Sequence, residues 1–87
     1  MKLLVCSVYD GAVGAYLQPF FARSKAEAIR SFSDAVGNSE SPFAKHKADF
    51  TLLVLGAFDD QSGELVYSGV GPEKVITALE LVPITSA

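Results

Sequence analysis

Phe50-Thr51-Leu52-Leu53-Val54-Leu55-Gly56-Ala57-Phe58-Asp59 reads as a strand, and Asp59-Asp60-Gln61-Ser62-Gly63 as the hairpin turn that ends it. Glu64–Ser68 then returns as its antiparallel partner. Strict alternation places Phe50, Leu52, Val54 and Phe58 on one face, with Gly56 in register, and Thr51, Leu53, Leu55 and Ala57 on the other. Upstream of this hairpin, Ser24–Val36 carries the clearest helical period. Ser24-Lys25-Ala26-Glu27 fits a capping box, and Ile29, Phe32 and Val36, supported by Ala28 and Ala35, make the apolar stripe. Gly37 suits the left-handed position that closes a helix. Asn38–Ser41 is a polar break, and Pro42–Lys47 a short helical turn with proline at its first position.

Nearer the start, Lys2–Tyr9 alternates Leu3, Val5, Ser7 and Tyr9 with Leu4, Cys6 and Val8. Both sets are largely apolar, as in a central strand. Asp10–Gly14 is a turn whose two glycines can take positive φ, and Ala15–Ala22 returns as a second strand. Pro19 cannot donate to a ladder, so that strand belongs at an edge or carries a bulge. Beyond the hairpin, Gly69–Glu73 is a loop, Lys74–Val82 leans towards an extended segment, and Pro83 opens a tail. The order β-β-α-β-β with a weak fifth strand predicts an α+β fold: an antiparallel sheet of four or five strands with one main helix packed on one face. One helix covers only part of such a sheet. The other face should carry Tyr, Phe and Leu side chains, a surface for self-association or binding.

At 87 residues the chain is one domain, with no repeat and no linker. Forty-nine per cent of it is hydrophobic and 20% charged, which suits a folded domain rather than a disordered tail. The longest apolar runs, Leu3–Cys6 and Leu52–Leu55, are far short of the ~20 residues a membrane-spanning helix needs. Only Lys2 precedes the first run, so the start is expected to enter the fold directly rather than act as a leader. The net charge of −3 argues against a strongly basic nucleic-acid binder. Charge is uneven, however. Positions 23–47 hold five basic against three acidic residues, and the rest two basic against seven acidic. An anionic partner would therefore meet the middle third.

Little here supports catalysis. Cys6 is the only cysteine, lies within a strand and reads as a small buried hydrophobe. His46, between Lys45 and Lys47, reads as a solvated basic residue whose functional role would be a phosphate contact. Asp59, Asp60 and Glu64 lack the spacing of a calcium loop, and a strand rather than a helix follows Gly11–Gly14. No enzyme, metal or cofactor is expected. What remains is aromatic plus basic: Tyr9, Tyr16, Phe20, Phe21 and Phe43 lie near Arg23, Lys25, Lys45 and Lys47 in sequence. Single-stranded nucleic acid is held in this way, with bases stacked on rings and cations along the phosphates.

Ser7-Val8-Tyr9-Asp10, Ala15-Tyr16-Leu17-Gln18-Pro19-Phe20-Phe21, Arg30-Ser31-Phe32-Ser33-Asp34-Ala35-Val36, Asp49-Phe50-Thr51-Leu52 and Gly56-Ala57-Phe58-Asp59-Asp60 form ordered blocks from about Ser7 to Gly63. They resemble the small nonstructural protein of gokushoviruses, microviruses that are single-stranded DNA phages. The resemblance implies a protein of the host bacterial cytoplasm, absent from the capsid. It also implies DNA binding, with a part in single-stranded genome synthesis or packaging. It brings no assigned residues with it.

The leading expectation is thus a non-enzymatic accessory protein that binds single-stranded DNA as a homodimer or larger oligomer, with no membrane association. Arg23, Lys25, Arg30, Lys45 and Lys47, with His46, would follow phosphates, and Tyr9, Tyr16 and Phe43 would stack on bases. The helix N-terminus at Ser24 would add partial positive charge. The alternative is a protein–protein interaction module using the uncovered sheet face or an edge strand. The first requires the rings of the opening hairpin to lie beside the cations around the helix.

Overall fold

The computed structural model describes residues 1–69 and 71–81. Its centre is a ribbon of two long antiparallel strands, β1 (Lys2–Asp10) and β4 (Phe50–Asp59), paired from Lys2 opposite Asp59 to Asp10 opposite Phe50. Two short strands line each edge of the ribbon. β2 (Ala15–Tyr16) and β3 (Phe20–Ala22) share the outer edge of β1, and β5 (Leu65–Tyr67) and β6 (Glu73–Thr77) the outer edge of β4. Every pairing is antiparallel. Helix α1 (Lys25–Gly37), the four-residue α2 (Pro42–Lys45) and a 3-10 turn at Lys47–Asp49 connect the two halves. The protein is therefore α+β with one main helix, as expected. Its sheet has six strands among the described residues rather than four or five. One comes from the splitting of Ala15–Ala22, the other from β6, where the extended preference of Val75 and Thr77 prevails. That segment leaves the sheet into a 3-10 turn at Leu79–Leu81. Val82 and the tail from Pro83 lie outside the described residues.

The core lies between α1 and one face of the sheet. Ala28, Phe32 and Val36 cluster with Cys6, Val8, Ala22, Phe50, Leu52, Val54 and Ala78, all of them buried. Phe43 of α2 closes one side, its ring edge-to-face with Phe32 at 5.7 Å and Phe50 at 4.7 Å between centroids. Such aromatic pairs add about 0.5–1.5 kcal/mol beyond the burial itself.

The helix start follows its sequence signal with one change. Ser24 Oγ accepts the Glu27 amide at 3.1 Å. The glutamate then reaches one residue beyond the cap, accepting the Arg23 backbone N–H at 2.9 Å and its Nε at 3.1 Å. The backbone bond first, and the side-chain bond second, hold the Glu27 carboxyl below its ordinary value of 4.5. A carboxylate depressed by folding stabilises above its unfolded pKa, and that contribution is lost as pH falls through the lower, folded value. Glu27→Gln should therefore lower the urea midpoint modestly near neutrality. The gap to wild type should close as pH falls below about 4.5. A gap unchanged across the acid titration would rule out the charged carboxylate as its source.

The helix end departs from expectation. Gly37 is its last residue and has no positive φ. Asn38 caps it in an extended conformation, φ −82° and ψ 107°, and donates its amide to the Ala35 carbonyl. Ser41 Oγ donates to the same carbonyl at 2.6 Å. With that acceptor satisfied twice, no left-handed turn is needed. In the Asp10–Gly14 turn only Gly14, at φ 69°, uses the positive region, while the Gly11 N–H donates to the Asp49 carbonyl at 2.7 Å.

Three irregularities shift the side-chain parity predicted from strict alternation; one lies on β6, where Val75 is extra between Lys74 opposite Leu53 and Ile76 opposite Leu52. Tyr9 pairs with Tyr16 but Cys6 with Phe20, so three residues, Leu17-Gln18-Pro19, pass opposite two, Ser7-Val8. Tyr16 and Phe20, four residues apart and so on one face of a regular strand, lie on opposite faces. On β4, Val5 pairs with Gly56 but Cys6 with Val54, which makes Leu55 the extra residue of a bulge. Beyond it the faces exchange. Ala57, opposite Leu4, turns to the helix, and Phe58, opposite Leu3, turns away from Phe50, Leu52 and Val54.

Candidate interaction face

Alternation from buried Cys6 and Val8 sends Leu3, Val5 and Tyr9 to the face that no helix covers among the described residues. Register brings the rest of that face. Tyr16 stands opposite Tyr9, Phe21 opposite Val5, Phe58 opposite Leu3, Leu65 opposite Phe58 and Tyr67 opposite Gly56. Tyr16 is 46% exposed, Phe21 56%, Leu65 60% and Tyr67 85%. Tyr9 and Tyr16 meet edge-to-face at 5.0 Å at one end, and Phe21 and Phe58 meet at 5.5 Å at the other. Val5, Pro19, Leu55, Leu65 and Tyr67 border an apolar crevice of about 210 Å³ on this face. Ser7 also points this way, yet it is fully buried, and its hydroxyl donates to the Leu17 carbonyl at 2.7 Å. The irregular segment that splits the edge strand thus also satisfies the buried polar group of the central strand.

The face is nearly free of charge. Lys2, Asp10, Asp59 and Glu73 follow the helix-side parity of their strands. Lys74, opposite Leu53, is the one charged strand residue on the open side among the described residues.

The cations selected from the sequence lie elsewhere. Arg23 pairs with Glu27 at 3.1 Å, and Lys25 with Glu73 at 2.5 Å. Exposed pairs of this kind contribute little to stability, but they do occupy both cations. Arg30 is exposed on the outer side of α1, between buried Ala28 and Phe32. Lys45 belongs to α2 and His46 caps it. Lys47 lines a crevice with Ser33, Val36 and Leu81 beside the end of α1. Phe43 is half-buried and engaged edge-to-face by two core rings. Tyr9 and Tyr16 are therefore on one side of the sheet, and Arg30, Phe43, Lys45, His46 and Lys47 belong to the helical layer on the other. The groove lined by both rings and cations is not assembled, because nearness along the chain does not survive strand alternation. In its place are Phe58, Leu65 and Tyr67, absent from the expected site, and Phe21, grouped with the basic residues from the sequence but given no stacking role. Alternation counted from the Asp59–Gly63 turn, together with a bulge at Leu55, would have found Phe58, Leu65 and Tyr67; Phe21 follows only from its register opposite Val5.

Cys6 is fully buried, and burial pushes its thiol pKa up, which disfavours the reactive thiolate. Among the described residues no group of three or more His, Cys, Asp or Glu is placed to hold a metal ion, and no helix is long and apolar enough to cross a membrane.

No curated protein and no solved structure matches this chain. A family model described as Phage ORF5 protein does match, over residues 3–81. That span takes in the central ribbon, both helices and all four edge strands, and the chain accordingly belongs to the phage ORF5 protein family.

Proposed function

We propose that this phage protein is a non-enzymatic accessory factor, acting in the infected cell rather than in the capsid, that works by protein–protein association through the open face of its sheet. The supporting observation is the size and neutrality of that face. At roughly 200 Å² for a full side chain of this kind, the exposed parts of Tyr16, Phe21, Leu65 and Tyr67 leave about 500 Å² in water. Four side chains thus match the whole largest apolar patch of an ordinary monomer, about 300–600 Å². The test is capture from infected cells with nuclease treatment, comparing wild type with Phe21→Glu/Tyr67→Glu. A partner that survives nuclease and is lost with the double variant is the expected result. A partner retained by the double variant contradicts this use of the face.

A second reading keeps single-stranded DNA as the ligand, in genome replication or packaging. It is favoured by five rings on one face: Tyr9, Tyr16, Phe21, Phe58 and Tyr67. Each stacked base contributes ~1–3 kcal/mol, and Lys74 offers one phosphate contact. Binding by this face would weaken only slightly with salt, since the slope follows the number of phosphates neutralised. Labelled oligonucleotides that show no anisotropy change at low salt would remove this reading.

A further inference from the structure

We infer that the occupant of the open face is a second copy of this chain, so that two sheets pack face to face; this rests on the reading of that face as an association surface. Electrostatics is the first reason. The chain carries a net charge of −3, so most contacts between two copies set like charges together. On the open face the strands place no carboxylate among the described residues, because Asp10, Asp59 and Glu73 follow the opposite parity. Two such faces meet without carboxylate facing carboxylate. Shape is the second reason. A two-fold contact has to be self-complementary, so projection and hollow must belong to one patch. Tyr67, 85% exposed, stands at the rim of the apolar crevice formed with Val5, Pro19, Leu55 and Leu65.

Area is the third. The half-buried Leu3, Val5, Tyr9, Leu53 and Phe58 extend the four exposed side chains towards the ~800 Å² that each partner contributes to a standard interface. The sheet edges, in contrast, offer strands of only two to five residues, interrupted between β2 and β3 and between β5 and β6. Backbone pairing between copies would be short, which leaves the face as the larger contact.

Sedimentation velocity over a concentration series tests this directly. Wild type should sediment at twice the 9.2 kDa chain mass. Phe21→Glu/Tyr67→Glu should sediment as a monomer with an unchanged circular dichroism spectrum, and Arg30→Glu, on the helix side, should remain dimeric. Should the double variant fail to fold, Tyr67→Lys alone, at so exposed a ring, gives the same reading. Wild type that stays monomeric throughout overturns the dimer, and the capture experiment then decides whether the face serves another protein. A dimer indifferent to these substitutions overturns the assignment to this face. If partner capture is equally indifferent, the proposed function falls as well.

Discussion

Phe32→Ala is expected to remove roughly 3–5 kcal/mol of folding stability. Phe32 is 3% exposed, lies at the middle of the α1 stripe, and meets Phe43, which in turn meets Phe50. Truncation removes the transfer free energy of the ring, leaves a cavity, and frees Phe43 from one of its two aromatic neighbours. A crevice of about 250 Å³ already borders Phe32, Phe43, Leu17 and Phe20, so the site has slack on one side and collapse is incomplete. A domain of this size has about 4–13 kcal/mol in total, so the loss is a large fraction of what holds the fold. Urea unfolding followed by circular dichroism measures it. A loss below about 1 kcal/mol would mean that α1 does not pack on the sheet through this ring.

Gly56→Ala should cost about 1–3 kcal/mol by overpacking, with the damage concentrated in the β4–β5 hairpin. A Cβ at Gly56 would collide with the backbone carbonyl of Val66, and backbone cannot swing aside as a side-chain tip can. To admit it, β5 must lift, carrying Leu65 and Tyr67 and opening the crevice they share with Val5 and Leu55. Gly37→Ala is the matched control. That glycine is helical, has no positive φ, and a Cβ there meets nothing within 4 Å. Alanine at Gly37 should be neutral or stabilise by up to about 1 kcal/mol. Hydrogen exchange would localise the Gly56 effect to Leu65–Tyr67. Equal tolerance of both alanines would contradict the close approach of β5 to β4.

Features written in local signals were legible in the sequence. The α1 stripe, its Ser24 cap, the Asp59–Gly63 turn and the apolar central strand all appear where the pattern places them. What escaped was parity across an irregularity. Tyr16 against Phe20, and Ala57 against Phe58, differ by one residue that is extra only relative to a partner strand. For β4 that partner lies some fifty positions away, beyond the reach of any short window. The candidate residues are not brought together, for a related reason. The positive balance of 23–47 is a property of the chain, whereas a groove is a property of the assembled layers. Alternation carries Tyr9 and Tyr16 away from the layer that Arg30, Lys45 and Lys47 occupy. The prediction that did transfer was geometric: a single helix leaves one face of a sheet uncovered, and five of the nine aromatic side chains stand there.

The bulge at Leu55 makes the outward identity of the hairpin a matter of counting rather than of composition. Pairing Leu55 with Val5, so that the bulge straightens and every later residue slips by one, would swing Phe58 inward and Ala57 outward, whereas deleting Leu55 would leave both on their present faces. For related chains, whether this residue is bulged or paired would change the outward surface more thoroughly than many replacements of the residues that form it.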